Sequence, residues 1–320
     1  MLSPRLHTVT CSSPAGLHRM AYHEWGDSNN PEVVLCVHGL TRTGRDFDAL
    51  ASQLSSKFRV VCPDVTGRGL SDWLSNPSFY AVPQYAADMV TLIARLQPER
   101  LHWVGTSMGG VIGLVYAGAL AQKRANSVIP TPAQCHTNLP HAHLRLDSLV
   151  LNDVGPRIEP VALERIGQYV GESVVLSSFD EAVSYVRRTC EPFGPHTPEQ
   201  WEDLTRHVYI EQDGKWLKHY DLAIASAFKQ LTPELSAQSE ALIWGAFASI
   251  IAPIQIIRGQ QSDLLSEQTC QKMMQLQPGA CFTQIPGVGH APTLMDSTQI
   301  ALVADFLMRQ RQQASLVSER

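Results

Sequence analysis

No stretch of this 320-residue chain approaches the ~20 consecutive apolar residues needed to cross a bilayer. Residues 1–16 hold no apolar core of the kind that heads a secreted chain, so a cytoplasmic protein is expected. Charge is equally unassertive. A net charge of −5, with 17% charged residues, gives no reason to expect a nucleic-acid partner. The seven cysteines (11, 36, 62, 135, 190, 270 and 281) show no C-x-x-C pair and no metal-ligand spacing. Their number is odd, and Cys36 and Cys62 sit inside apolar runs, which reads as buried free thiols in a reducing compartment. Internal repeats are missing as well. What remains is an ordinary globular composition, 44% hydrophobic, long enough for one domain with a sizeable insertion or for two small domains.

Apolar runs alternate with helical patterns along the chain. Residues 7–11 and 17–25 read as a pair of strands. Val33-Val34-Leu35-Cys36-Val37 is a continuous apolar run, as expected of a strand buried on both faces. A helix over 45–56 follows, then a strand from Phe58 to Cys62, a helix near 83–97 and a strand at Leu101–Val104. Ser148–Leu151, Ile254–Ile257 and residues 281–285 are further strands, with helices near 266–276 and 297–311 and a frayed tail beyond 312. Alternation of this kind calls for a parallel sheet with right-handed crossovers. Two stretches break the rhythm. Residues 122–147 form a long connection bearing Pro, His and Asn. Residues 157–248 contain no good β-run and read as helices at 160–170, 180–190, 198–213 and 218–230. The aromatics of that stretch (Trp201, Tyr209, Trp216, Tyr220 and Phe228) are candidates for a pocket wall, though core packing is the commoner use.

The most informative stretch is Gly105-Thr106-Ser107-Met108-Gly109, between an apolar strand and a run of small and apolar residues that starts a helix. A sharp strand–turn–helix of this type holds its serine in a strained conformation, and glycines on either side remove side chains that would collide. The helix start presents free N–H groups where an anionic intermediate would be stabilised. A serine hydroxyl is a poor nucleophile unless a base takes its proton. His290, in the loop Pro286-Gly287-Val288-Gly289-His290 after a strand, is the candidate base. An imidazole in that role needs an acid to hold its tautomer. Asp263, after the strand at 254–257, is the expected acid; Asp153, directly after the strand at 148–151, is the alternative.

The order Ser107, Asp263, His290 matches that of the α/β-hydrolase triad. Together with His38-Gly39, Asp64-x-x-Gly67-x-Gly69-x-Ser71, the Ser107 turn, Ser262-Asp263 and Gly289-His290, it makes the chain resemble an α/β-hydrolase, and more narrowly a carboxylesterase-like member with a helical cap. The resemblance spans positions 33–311. It implies a mostly parallel eight-stranded sheet with helices on both faces. It also implies a core of residues 1–154 and 249–320, a helical cap at 155–248, and an oxyanion hole made by the backbone N–H groups of Leu40 and Met108. Asp64, Gly67, Gly69 and Ser71 are expected to build a turn, and His38 to brace the oxyanion loop.

No metal or other cofactor is expected. Cys135, His136, His141 and His143 invite a metal hypothesis, but topology puts residues 122–147 at the pole opposite the serine, where a solvated loop is the expectation. The partner is a small molecule; oligomeric state is left open. Serine at 107 argues against dehalogenase or epoxide-hydrolase chemistry, where an aspartate would stand. Residues 155–250 carry eight basic and fourteen acidic side chains, a net −6, which does not steer anions inward. A small uncharged ester, cleaved through an acyl-enzyme, is therefore the expected substrate. The alternatives are C–C bond hydrolysis, where Arg165, Arg187, Arg188 or Arg206 would hold a dienoate carboxylate, and a ligand receptor on the same fold with residual turnover.

Overall fold

A computed structural model describes residues 3–126, 145–226 and 233–318. Cys135, His136, His141, His143 and Phe228 lie outside the described residues. Eight strands form one sheet in the order β1-β2-β4-β3-β5-β6-β10-β11. These are β1 (Arg5–Ser13), β2 (Gly16–Trp25), β3 (Glu32–Val37), β4 (Arg59–Pro63), β5 (Arg100–Thr106), β6 (Ser148–Asn152), β10 (Ile254–Gly259) and β11 (Cys281–Ile285). The β1–β2 hairpin is antiparallel and joins β4 antiparallel; every pairing from β4 through β11 is parallel.

The alternation of side chains along a strand sorts the sheet's residues onto two faces. Val34, Cys36, Val104, Val150 and Ile257 point to one side, against helices α1 (Asp48–Leu54) and α9 (Ser297–Ser318), where Phe47, Leu50, Val303, Phe306 and Leu307 meet them. Val33, Leu35, Val37, Trp103, Leu149, Leu151 and Ile256 point to the other, where the core also takes in α2 (Val82–Leu96), α3 (Met108–Asn126) and α8 (Glu267–Leu276). This is why β3 and β6 are buried along their whole length and read in sequence as unbroken apolar runs. The last helix continues to Ser318, past the expected fraying point.

Between β6 and β10 the chain departs from the expected all-helical pattern. Helices α4 (Pro160–Val170), α5 (Phe179–Thr189) and α6 (Pro198–Arg206) are present. The helix expected over 198–213 stops at Arg206, and a small antiparallel sheet, β7 (Val175–Leu176), β9 (Lys215–Lys218) and β8 (Tyr209–Gln212), takes its place. The β8–β9 turn is Asp213-Gly214, both at positive φ (51° and 71°), the pairing that a two-residue hairpin requires. Trp201 and Tyr209 do not line the active pocket. They pack with Ala182, Tyr185, Val186 and Leu204 into a separate small core, while Tyr220 joins the main one. Helix α7 (Pro233–Ala248) belongs with the sheet layers: it packs on α3, with Ala246 against Gly118 and Phe247 in the main core.

Candidate active site

Three strand ends and one loop converge on a single point. Ser107 sits between β5 and α3 with φ at 52°, a left-handed conformation that an L-residue adopts only under local constraint. The flanking glycines are required by space. A Cβ on Gly109 would lie 1.9 Å from the Val37 carbonyl oxygen, and one on Gly105 would lie 2.4 Å from the Gly110 nitrogen. The backbone of the turn is therefore pressed against β3 and against its own helix start, and no side chain can fit at either position.

The Ser107 hydroxyl donates to His290 Nε2 at 2.8 Å, and His290 Nδ1–H donates to Asp153 Oδ2 at 2.7 Å. The carboxylate beside the imidazole is thus Asp153, not Asp263 as the motif order suggested. The reason lies in the strand ends. Strand β6 lies between β5 and β10, and Asp153 follows it at φ 54° with no solvent exposure. Three donors hold its carboxylate: Gly259 N–H on Oδ1 at 2.7 Å, the Ser262 hydroxyl on Oδ2 at 2.7 Å, and His290 on the same oxygen. In the turn after β10 it is Ser262 that bonds Asp153, while Asp263, one residue on, turns away toward α4. There it takes a two-point ion pair from Arg165 of α4, Nε at 2.6 Å and Nη2 at 2.9 Å. Partial burial pushes the Asp263 carboxyl up, and Arg165 more than offsets this, holding it below the usual carboxylate range. The sequence signal for this carboxylate is its place directly after a strand, Asn152-Asp153, a signal that Asp263 shares.

Leu40 and Met108 both come to the serine. Leu40 lines the same pocket as Ser107 and His290, and Met108 is the first residue of α3, where a helix N–H has no acceptor inside the helix. The segment around Leu40 is fixed by buried groups. His38 Nδ1–H donates to the Gly39 carbonyl at 2.7 Å, and its Nε2 accepts from Val65 N–H at 2.9 Å. Complete burial pushes this imidazole down to about 4, so it stays neutral in both contacts. Arg68, fully buried, donates from Nε to the Leu40 carbonyl at 2.8 Å and from Nη1 to the Thr66 carbonyl and the Tyr85 hydroxyl. Sequence reading passed over Arg68, since a lone arginine between two glycines carries no signal of burial. Asp64, Gly67, Gly69 and Ser71 form a turn. Asp64 accepts from Gly44 and Leu70 N–H, Ser71 donates to the Asp64 carbonyl, and a Cβ on Gly69 would meet Asp64 Oδ2 at 2.4 Å.

The pocket in front of Ser107 is walled by Phe47, Ile166, Tyr169 and Phe193 among others, with Arg42 and Arg165 as its cations. Among the described residues, Cys11, His18 and Asp88 are the group close enough to hold a metal ion. Burial pushes the Cys11 thiol up to about 12, leaving it a neutral, poor ligand. Asp88 already receives His18, Thr66 and Gln84, so the group serves to tie β1 and β2 to α2. The six described cysteines are free thiols; Cys11, Cys36, Cys62 and Cys270 are buried, Cys190 is half-buried and Cys281 is exposed.

Residues 34–306 match the family model of the alpha/beta hydrolase family. The chain is 48% identical over 308 residues to a 3-hydroxybutyrate-oligomer hydrolase from Cupriavidus necator, covering 95% of this chain and 98% of that one. Among solved structures, an alpha/beta hydrolase from Novosphingobium aromaticivorans superposes with a TM-score of 0.77 at 32% identity, covering 97% of this chain and 99% of that one. A putative hydrolase from Rickettsia typhi gives 0.79 at 28% identity, covering 95% and 99%. With the sheet order, the strained serine and a match over most of its length, the chain belongs to the alpha/beta hydrolase family.

Proposed function

We propose that this ester hydrolase cleaves short oligoesters of a 3-hydroxy acid through an acyl-enzyme on Ser107, with His290 as base and Asp153 as the acid that orients it. The observation that carries the mechanism is the continuous relay from Ser107 through His290 to Asp153, at 2.8 and 2.7 Å. The substrate class is supported by the near full-length similarity to the oligomer hydrolase.

Asp153 accepts from Nδ1–H, so the lone pair of Nε2 faces the serine, the tautomer a general base needs. Ser107 Oγ attacks the ester carbonyl carbon, its proton passes to Nε2, and the new oxyanion is held by the N–H groups of Leu40 and Met108. The C–O bond breaks, and the leaving alkoxide takes the proton from Nε2. Water then repeats the sequence on the acyl-enzyme and releases the acid. Residues 155–226 act as the cap. They are tied to the core by Arg42 on the Leu204 carbonyl, Gly289 N–H on the Pro192 carbonyl and Tyr80 on Asp221. Helix α7 is assigned to the core because of its packing on α3. The net charge of 155–250 favours an uncharged substrate, but net charge averages over side chains that face water; among the described residues of that stretch, the basic one that lines the pocket is Arg165.

The test is chromatography of products from 3-hydroxybutyrate dimer and trimer with the wild type and with Ser107→Ala. The wild type is expected to release monomer, and Ser107→Ala to lose activity by ~10⁶ while keeping its fold. Retention of more than about a thousandth of the rate would remove Ser107 as nucleophile. Turnover of p-nitrophenyl esters with no cleavage of dimer or trimer would remove the substrate class and keep the mechanism.

A further inference from the structure

The pocket contains two guanidinium groups in different states. Arg42 is 7% exposed, and both hydrogens of its Nη2 are taken: Nε and Nη2 hold the two oxygens of Asp46 at 2.7 and 2.8 Å, and Nη2 also holds the Leu204 carbonyl. Arg165 has a side chain about a third exposed (30%) and is committed along one edge alone. Asp263 occupies its Nε and Nη2. Among the described residues no acceptor meets its Nη1. A guanidinium carries five N–H donors in a planar fork, and a carboxylate on the Nε–Nη2 edge leaves the Nη1–Nη2 edge able to take a second one. The geometry is held from both sides. Arg165 stands on α4, and the residue just before that helix, Glu159, donates its N–H to the Leu264 carbonyl, next to Asp263. Arg165 therefore lines the pocket from a fixed support, with its Nη1–Nη2 edge uncommitted among the described residues.

We infer that this edge of Arg165 is a carboxylate subsite, which takes the free acid end of the substrate and sets where along the oligoester the chain is cut. The inference rests on the oligoester reading above. An oligomer of a hydroxy acid carries one free carboxylate, at the end of the chain. When the ester nearest that end is attacked, the leaving group is a hydroxy acid whose carboxylate is separated from the broken C–O bond by the acid's own short backbone. Holding that carboxylate on Arg165 places the terminal ester over Ser107, so cleavage starts at the acid end and releases one hydroxy acid at a time. Apolar walls such as Ile166 and Phe193 cannot supply this register, because dispersion contacts do not distinguish one repeat unit from the next. Asp263 keeps Arg165 in position and leaves the pair neutral before substrate arrives.

The experiment compares two small esters that differ in one charge: 3-acetoxybutyrate, with its free carboxylate, and its primary amide. The readout is the acid-to-amide ratio of kcat/KM. Charge-assisted pairing predicts a wild-type ratio on the order of 10–100. Arg165→Gln should bring the ratio close to one, chiefly through a higher KM for the acid, and Arg165→Lys should restore part of it. Asp263→Asn separates the subsite from a merely structural latch: it breaks the same ion pair but leaves the cation, so the ratio should persist. The inference is overturned if the wild-type ratio is near one, if Arg165→Gln lowers both substrates together, or if Asp263→Asn collapses the ratio as fully as Arg165→Gln. The oligoester reading fails separately. A wild type that shows the Arg165-dependent ratio but leaves 3-hydroxybutyrate trimer intact keeps the subsite and loses the oligomer. One that cuts the trimer, with products and the acid-to-amide ratio unchanged in Arg165→Gln, loses the subsite and keeps the oligomer.

Discussion

Replacing Asp153 with asparagine changes one atom, and the structure determines which tautomer of His290 results. Asp153 Oδ1 must accept from Gly259 N–H, a buried backbone donor at 2.7 Å. In Asp153→Asn the amide oxygen therefore stays on that side, and the NH2 group takes the place of Oδ2, facing Ser262 and His290. An NH2 group there donates to Nδ1 and forces the imidazole proton onto Nε2. Nε2–H then points at the Ser107 hydroxyl and cannot accept its proton. The flipped amide would set NH2 against Gly259 N–H, leaving a buried donor without an acceptor at a cost of about 1–3 kcal/mol. That minor arrangement keeps Nδ1–H bonded, but like the major one it has no negative charge to stabilise the imidazolium formed during the reaction. The expected loss is ~10⁴ in kcat, about 5.4 kcal/mol of barrier at 1.36 kcal/mol per decade. The assay is steady-state hydrolysis of p-nitrophenyl butyrate, with circular dichroism to show that the variant is folded. Asp263→Asn in the same assay is expected to fall by less than ~10-fold, since Asp263 bonds Arg165 rather than His290. The reasoning is refuted if Asp153→Asn keeps activity within ~10-fold of wild type while Asp263→Asn loses several orders of magnitude. Motif order would then have named the acid correctly.

Two further outcomes follow from packing and charge. Gly109→Ala places a Cβ 1.9 Å from the Val37 carbonyl oxygen; the serine turn must move, and a displacement of about 1 Å lowers kcat on the order of 10²-fold. The control is Gly167→Ala within α4, where a Cβ meets no atom within 4 Å, expected to keep full activity and to gain roughly 0.4–1 kcal/mol of stability; equal behaviour of the two alanines would refute the steric argument. Burial pushes the Glu24 carboxyl up, but hydrogen bonds from Arg5 and Arg59 outweigh it, and the pKa lies below the usual value. A folded-state pKa below the unfolded one stabilises the protein above ~4.3, and that contribution is lost as pH falls through the folded value. Melting temperature measured from pH 7 to 3 should therefore fall more steeply for wild type than for Glu24→Gln, and parallel curves would remove Glu24 from the acid response.

The sequence by itself determined the layers, the serine turn and the histidine that meets it. Strands buried on both faces must be apolar throughout, so Val33–Val37 and Leu149–Leu151 were legible without partners. Gly105, Ser107 and Gly109 were legible because a steric requirement on the backbone admits few residue types. The helices at 160–170 and 254–257 strand fell within a residue or two of expectation, because period and punctuation are local signals. The β8–β9 hairpin was local as well. Its Asp213-Gly214 turn stood in the sequence between Tyr209–Gln212 and Lys215–Lys218, but these strands are half-exposed and short, so hydrophobic periodicity did not mark them. What only the tertiary structure decided was pairing across the sheet. Asp153 and Asp263 both follow strands and both return to the edge that holds Ser107, and nothing in their neighbours says which carboxylate points at His290. That choice depends on β6 lying between β5 and β10, and on Ser262 rather than Asp263 turning toward Asp153 after β10. Ser262 and Asp263 lie in the turn after β10, and a single step along that turn separates a hydroxyl bonded to Asp153 from a carboxylate that holds an arginine at the pocket wall.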